Sequence, residues 1–105
     1  MKKLVIIPTY NEKANISKLV LKLQSLKIEG LDILFIDDNS PDGTGEILKE
    51  FQKEYANIKL IEREGKLGLG TAYILGFKYG LEHGYGQIAQ MDADFSHNPK
   101  DLIPL

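Results

Sequence analysis

The chain has 105 residues, 43% of them hydrophobic and 27% charged, enough for one globular domain with its own core. Thirteen Lys and Arg stand against fifteen Asp and Glu, a mildly acidic balance with nothing to suggest a nucleic-acid-binding surface, which needs a basic stripe on one face. It has no cysteine, so disulfides and thiolate metal sites are excluded too.

The start, Met1-Lys2-Lys3-Leu4-Val5-Ile6-Ile7-Pro8, is basic and then apolar, but Pro8 ends the apolar run. A secretory core needs about seven to fifteen such residues, so the segment reads as a strand. No window approaches the roughly 20 apolar residues of a membrane span, and the expected location is cytoplasmic, with any membrane contact peripheral or made by parts outside this chain. Ile16, Leu19, Val20 and Leu23 then recur at helical spacing, with Lys18 and Lys22 facing outward. Asn11 is expected to cap this helix, Glu12 to sit in its first turn and Gly30 to mark its end.

Ile33-Leu34-Phe35-Ile36 is the second buried strand and runs into Asp37-Asp38-Asn39 and the turn Ser40-Pro41-Asp42-Gly43. Ile47, Leu48, Phe51 and Tyr55 mark the next amphipathic helix. The third strand, Ile58 to Glu62, carries Lys59 at its centre, which places it at a sheet edge. A Gly-rich loop, Gly65 to Gly70, leads into a helix with Ala72, Tyr73, Gly76, Phe77 and Gly80 on one side. A mid-helix glycine costs about 1 kcal/mol relative to alanine, so Gly76 and Gly80 predict very close packing on the sheet. Ile88-Ala89-Gln90-Met91 is the fourth strand, ending at Asp92-Ala93-Asp94, and Pro99 opens a further helix. Strands alternating with helices imply a parallel sheet, right-handed crossovers and helices on both faces, a Rossmann-like α/β fold in a single domain over 1–105.

Open α/β sheets bind ligands beyond the carboxyl ends of their strands. Four unusual segments fall there: Pro8-Thr9-Tyr10-Asn11-Glu12, Asp37-Asp38, the loop from Arg63 to Gly70, and Asp92-Ala93-Asp94. Asp92 and Asp94 are hard oxygen ligands that suit Mg²⁺ or Mn²⁺ bridging to a nucleotide diphosphate. The plainer alternative is that they end a strand and cap the next turn. Asp37 and Asp38 stand where a nucleoside could be held, accepting hydrogen bonds from base N–H or ribose hydroxyl groups, with Asp37 the favoured ligand. Asn39, Ser40 and Asp42 read as turn formers.

Tyr10 offers a ring for base stacking, worth about 1–3 kcal/mol, or serves as a core tyrosine. Glu12 by itself also suits the helix dipole. Arg63 and Lys66 could close over phosphates, a solvated loop being the alternative for Lys66. Gly68-Leu69-Gly70 is not a dinucleotide fingerprint, because Tyr73 stands where its third glycine belongs, nor a Walker loop, because Lys66 precedes the glycines. His83 suits a helix end and is assigned no chemistry, and His97 is not expected to be a ligand. No serine-histidine-acid arrangement supports nucleophilic hydrolysis.

Taken together, Val5 to Glu12, Ile36 to Thr44, Lys66 to Tyr73 and Met91 to Asp94 resemble, in order and spacing, the dolichyl-phosphate (polyprenyl-phosphate) mannosyltransferases within the family 2, GT-A-type glycosyltransferases. The Ser-Pro-Asp-Gly-Thr and Leu-Gly-Leu-Gly-Thr-Ala stretches are the more particular to the mannosyl branch. The resemblance implies that Pro8, Tyr10, Glu12 and Asp37 line a nucleoside pocket with Asp38 beside it. Asp92 and Asp94 would hold Mg²⁺ or Mn²⁺ and the donor diphosphate, Asp94 being the catalytic residue. Arg63, Lys66 and Gly70 would border the donor site. The implied reaction moves mannose from GDP-mannose to a polyprenyl phosphate at a membrane surface, with inversion.

Two features depart from that family. Ser96 stands where many relatives carry a glutamine metal ligand, and the chain is about half the length of the family's catalytic domain. It is therefore expected to be a truncated N-terminal part, weak in nucleotide binding, inactive in transfer alone, and prone to self-association through the open edge of its fourth strand. Competing readings are a family 2 transferase using a UDP-sugar such as UDP-glucose, and a non-catalytic nucleotide-binding module. A sugar nucleotidyltransferase fits less well, because its Gly-rich basic loop should follow the first strand, where Pro8-Thr9-Tyr10 stands.

Overall fold

The structure is a computed structural model that describes residues 2–65 and 68–93. Lys66, Asp94, Ser96, His97 and the helix expected at Pro99 lie outside the described residues.

The elements follow in the order β1 (Lys3–Thr9), α1 (Lys13–Ser25), β2 (Leu31–Asp37), α2 (Thr44–Glu54), β3 (Ile58–Glu62), α3 (Leu69–Glu82) and β4 (Gln87–Gln90). The strands form a parallel sheet in the order β3-β2-β1-β4. β3 is an edge, as Lys59 predicts, and β4 is the other edge among the described residues.

Alternation along the central strands sends consecutive side chains to opposite faces. Val5, Ile7, Ile33 and Phe35 pack beneath α1 and α2, meeting Ile16, Leu19, Val20, Leu23 and Leu48. Leu4, Ile6, Leu34 and Ile36 face α3 and its Ala72. Both faces of β1 and β2 are covered, which is why their sequences are nearly continuous apolar runs. Each of these side chains, fully withdrawn from water, contributes about 1.5–3 kcal/mol.

The paired glycines seat α3. A Cβ on Gly76 would lie 2.6 Å from Ile6 Cγ2, and one on Gly80 would lie 2.6 Å from Ile88 Cδ1. No side chain fits in either gap, so the helix backbone rests directly on β1 and β4.

The start of α1 differs from expectation. Its N-cap is Glu12, which makes no side-chain capping bond, and Asn11 has left-handed backbone with φ 54°. That conformation is not the extended one from which a capping side chain reaches forward. The turn after β2 serves these amides instead. Asn11 N–H donates to Ser40 Oγ, Glu12 N–H to Thr44 Oγ1 and Lys13 N–H to Asp42 Oδ2, each at 3.0 Å. The loops following β1 and β2 are thereby tied to one another. No helix among the described residues is long and apolar enough to cross a membrane.

Candidate functional site

The carboxyl ends of β1, β2 and β4 and the start of α3 enclose an open cleft of about 310 Å³. Pro8, Thr9, Tyr10 and Glu12 line it from β1 and the loop beyond, and Asp38 from the end of β2. Gly68, Leu69 and Ala72 contribute the α3 side, and Asp92 and Ala93 the β4 side. Five residues singled out in the sequence, Pro8, Tyr10, Glu12, Asp38 and Asp92, thus meet in one cavity. The switch between the outward paths to β2 and to β4 lies at β1, where a ligand is expected in such sheets.

Asp37 and Asp38 divide their labour. Asp37, favoured as the ligand from sequence, is buried and absent from the cleft wall. Its carboxylate accepts the Thr9 hydroxyl at 2.7 Å, the Ser40 hydroxyl at 2.6 Å and the Ser40 amide at 3.0 Å. A carboxylate withdrawn from water needs such partners, and these stitch the end of β1 to the turn after β2. Asp38, one residue on, reaches the cleft.

Arg63 lies against Asp38. Its Nε donates to Asp38 Oδ1 at 2.6 Å and an Nη2 proton goes to Asp38 Oδ2 at 2.8 Å, a bidentate pair with both side chains 9% exposed. The same guanidinium donates to Thr71 Oγ1 at 2.9 Å and to the Gly68 carbonyl at 3.2 Å. Sequence reading did not anticipate this pairing or the roles of Thr9 and Thr71. The signal for the pair is register: Asp37 stands opposite Glu62 in the β2–β3 ladder, so Asp38 and Arg63 are the next residues of the two chains. Arg63 and Gly70 do not line the cleft.

On the β4 side, Tyr73 donates its hydroxyl to Asp92 Oδ1 at 2.9 Å. This orients a carboxylate that opens on the cleft. Asp42 supports the opposite wall, accepting the Lys13 amide and, through Oδ1, the Thr44 amide and hydroxyl. Desolvation tends to raise the Asp42 carboxyl, but the Thr44 hydroxyl and the Lys13 and Thr44 amides outweigh it and hold it below the usual carboxylate range. Remote from the cleft, Tyr85 donates to Asp32 Oδ2, and burial together with that bond pushes its phenol well above the ordinary tyrosine value. No group of three or more metal-ligating side chains occurs among the described residues.

A family model described as Glycosyl transferase family 2 matches residues 4–105. The chain is 46% identical over 104 residues to the undecaprenyl-phosphate mannosyltransferase of Micrococcus luteus, covering 97% of this chain and 42% of that protein. It is 43% identical over 103 residues to the polyprenol monophosphomannose synthase of Mycolicibacterium smegmatis, covering 97% of this chain and 38% of that one. It therefore spans about two-fifths of the length of these curated relatives.

Among solved structures, it is similar to the mannosyltransferase PcManGT of Pyrobaculum calidifontis in complex with GDP-Man and Mn²⁺. The TM-score there is 0.69 at 26% identity, over 89% of this chain and 27% of that one. It is equally similar to residues 1–349 of S. aureus TarS in complex with UDP, with a TM-score of 0.70 at 26% identity, over 90% of this chain and 28% of that one. The fold is that of the GT-A glycosyltransferases, and the chain belongs to glycosyl transferase family 2.

Proposed function

We propose that this chain is the nucleotide-sugar-binding part of a glycosyltransferase that moves mannose from GDP-mannose to a polyprenyl phosphate, with inversion at the sugar carbon. The observation that carries this reading is the meeting of Tyr10, Glu12, Asp38 and Asp92 around one cleft at the carboxyl edge of the sheet. The names of the curated relatives and the GDP-Man complex of PcManGT support the choice of sugar and nucleotide.

Tyr10 offers a ring for the base, worth about 1–3 kcal/mol when stacked. Asp38 accepts N–H or hydroxyl protons from the nucleoside, its charge balanced by Arg63. A diphosphate in this cleft meets the acids Glu12 and Asp92 on the wall, and like charges at close range raise its energy. Asp92 together with Asp94 would hold a divalent cation that removes that conflict, and their oxygen donors suit Mg²⁺ or Mn²⁺. When bound, the cation neutralises charge that grows on the departing nucleotide diphosphate. Tyr73 fixes the Asp92 carboxylate for this purpose.

In the transfer, an oxygen of the acceptor phosphate forms a bond to the anomeric carbon from the side opposite the nucleotide. The bond to the donor diphosphate breaks, and GDP leaves with the electron pair. The acceptor is already an anion, so no strong general base is required.

A UDP-sugar donor is the second reading, favoured by the likeness to TarS solved with UDP. Calorimetric titration of this chain with GDP and with UDP, each with Mn²⁺ and alongside Asp92→Ala, separates the two. Metal-dependent binding that prefers GDP and is lost in the variant supports the mannosyl reading, and a UDP preference overturns the donor. A folded sample that binds neither makes the remaining length of the relatives necessary to complete the site, or the chain a module without nucleotide chemistry.

A further inference from the structure

We infer that Arg63 is a positioning residue of the donor site: it acts through Asp38 and the first turn of α3, and does not itself meet the donor phosphates. The inference rests on the donor-site reading above and assigns Arg63 a role within it.

A residue that clamps a phosphate needs N–H groups aimed into the cleft. The Arg63 guanidinium spends all but one of its N–H groups on the protein. Two go to Asp38 in the planar fork that only arginine offers a carboxylate. The others reach Thr71 Oγ1 and the Gly68 carbonyl, at the start of α3. Three separate pieces of chain therefore converge on one side chain: the end of β2, the residue following β3, and the first turn of α3. The side chain is 9% exposed and lies behind the wall, whereas its partners Asp38 and Gly68 form the wall.

Its anchorage is firm as well. The Arg63 amide donates to the Asp37 carbonyl at 2.8 Å, continuing the β2–β3 ladder by one bond. The backbone at Arg63 is thus held by the same strand that carries Asp38. Thr71 in turn donates to the Gly68 carbonyl at 2.8 Å, closing a small network around the helix start. Rotation of Asp38 would break two charged hydrogen bonds, and drift of the helix start would break two more. The pair consequently fixes both the acceptor atoms offered to a nucleoside and the width of the cleft on its α3 side.

A test compares guanosine with GDP, because only GDP carries phosphate. Binding of each, with Mn²⁺ present, is measured for the unaltered chain, Arg63→Lys, Asp38→Asn and the double variant. Thermal unfolding of every variant provides the check on folding. If Arg63 acts through Asp38, Arg63→Lys weakens guanosine and GDP by the same factor, about tenfold. The double variant then binds no more weakly than Asp38→Asn. A loss confined to GDP, or losses that multiply in the double variant, would show direct phosphate contact and overturn the inference.

Hydrogen exchange reads the same strut without ligand. In Arg63→Lys the Ala72 amide, which donates to the Gly68 carbonyl, should exchange at least several-fold faster, while amides in the centre of β1 keep their protection. Unchanged exchange at the start of α3 refutes the strut even if no nucleotide binds. A chain that binds neither ligand yet shows the faster exchange refutes the donor-site role while leaving the contact itself in place, so the two readings fail separately.

Discussion

The backbone amide of Lys13 donates to Asp42 Oδ2 at 3.0 Å, so a carboxylate from the turn after β2 closes the start of the helix after β1. With the Ser40 and Thr44 bonds to Asn11 and Glu12, it holds the loop that carries Tyr10. Replacing Asp42 by Ala removes one acceptor from two helix starts and should cost about 1 kcal/mol, as loss of a capping side chain does.

That loss should depend on pH. The folded Asp42 carboxyl lies below its ordinary value of 3.8, so the stability it contributes is present above that value and fades as pH falls through the lower folded one. Urea unfolding of the unaltered chain and of Asp42→Ala at neutral pH and near pH 3 checks this. The gap between them should narrow on acidification, and a constant gap would contradict the assignment.

Gly76→Ala places a methyl group where Ile6 side-chain atoms lie at 2.6 to 2.8 Å. Overpacking of this kind costs about 1–3 kcal/mol. Ile6→Val, which removes the Cδ1 atom, should recover part of the loss in the double variant although it is mildly destabilising alone. Simple addition of the two losses in thermal unfolding would argue against the contact.

Asp37 and Asp92 should separate stability from binding. Asp37→Ala leaves the Thr9 and Ser40 donors without their buried acceptor and should destabilise the chain by about 1–3 kcal/mol per lost partner at most. Tyr73→Phe removes the bond to Asp92 and should leave the melting temperature nearly unchanged. Metal-dependent nucleotide binding should nonetheless fall by about 10–100-fold, the usual cost of losing an outer partner of a metal ligand. Calorimetry with Mn²⁺ decides it.

Association through β4, an edge strand among the described residues, is the expected consequence of that position. The Met91 amide donates to the Ile6 carbonyl, so the alternate residues Ile88 and Gln90 turn their amides away from β1. Ile74, Phe77 and Leu81 of α3, at 59%, 39% and 74% exposure, fall within a narrow arc of the helix, next to Tyr73, which reaches towards β4. A sheet edge beside apolar surface favours pairing with another strand. We expect concentration-dependent sedimentation that Gln90→Pro combined with Leu81→Lys suppresses, and a monomer at all concentrations would contradict it.

Much of the fold was legible from local pattern, for a physical reason. Apolar period and glycine spacing are properties of one element against whatever covers it, so Leu4 to Ile7, Ile16 to Leu23 and the Gly76–Gly80 pair could be placed without a partner in view. The cleft was legible in outline because parallel sheets deliver the ends of their strands to one edge. The acids at the end of β2 were less so. Which of Asp37 and Asp38 turns inward depends on the phase of the strand against both sheet faces, and sequence alone favoured the buried one.

By itself, the sequence determined the alternation of strands and helices found among the described residues, an edge position for β3 and a shared rim for Tyr10, Glu12, Asp38 and Asp92. Only the tertiary structure decided who holds whom on that rim. Asp42 caps α1 because β1 and β2 are neighbours, and Arg63 grips Asp38 because β3 lies beside β2 in register. These bonds join residues 25 or 29 positions apart, and their geometry exists only after the strands have paired. Periodicity describes an element, whereas the hydrogen bonds that shape a site depend on which elements become neighbours.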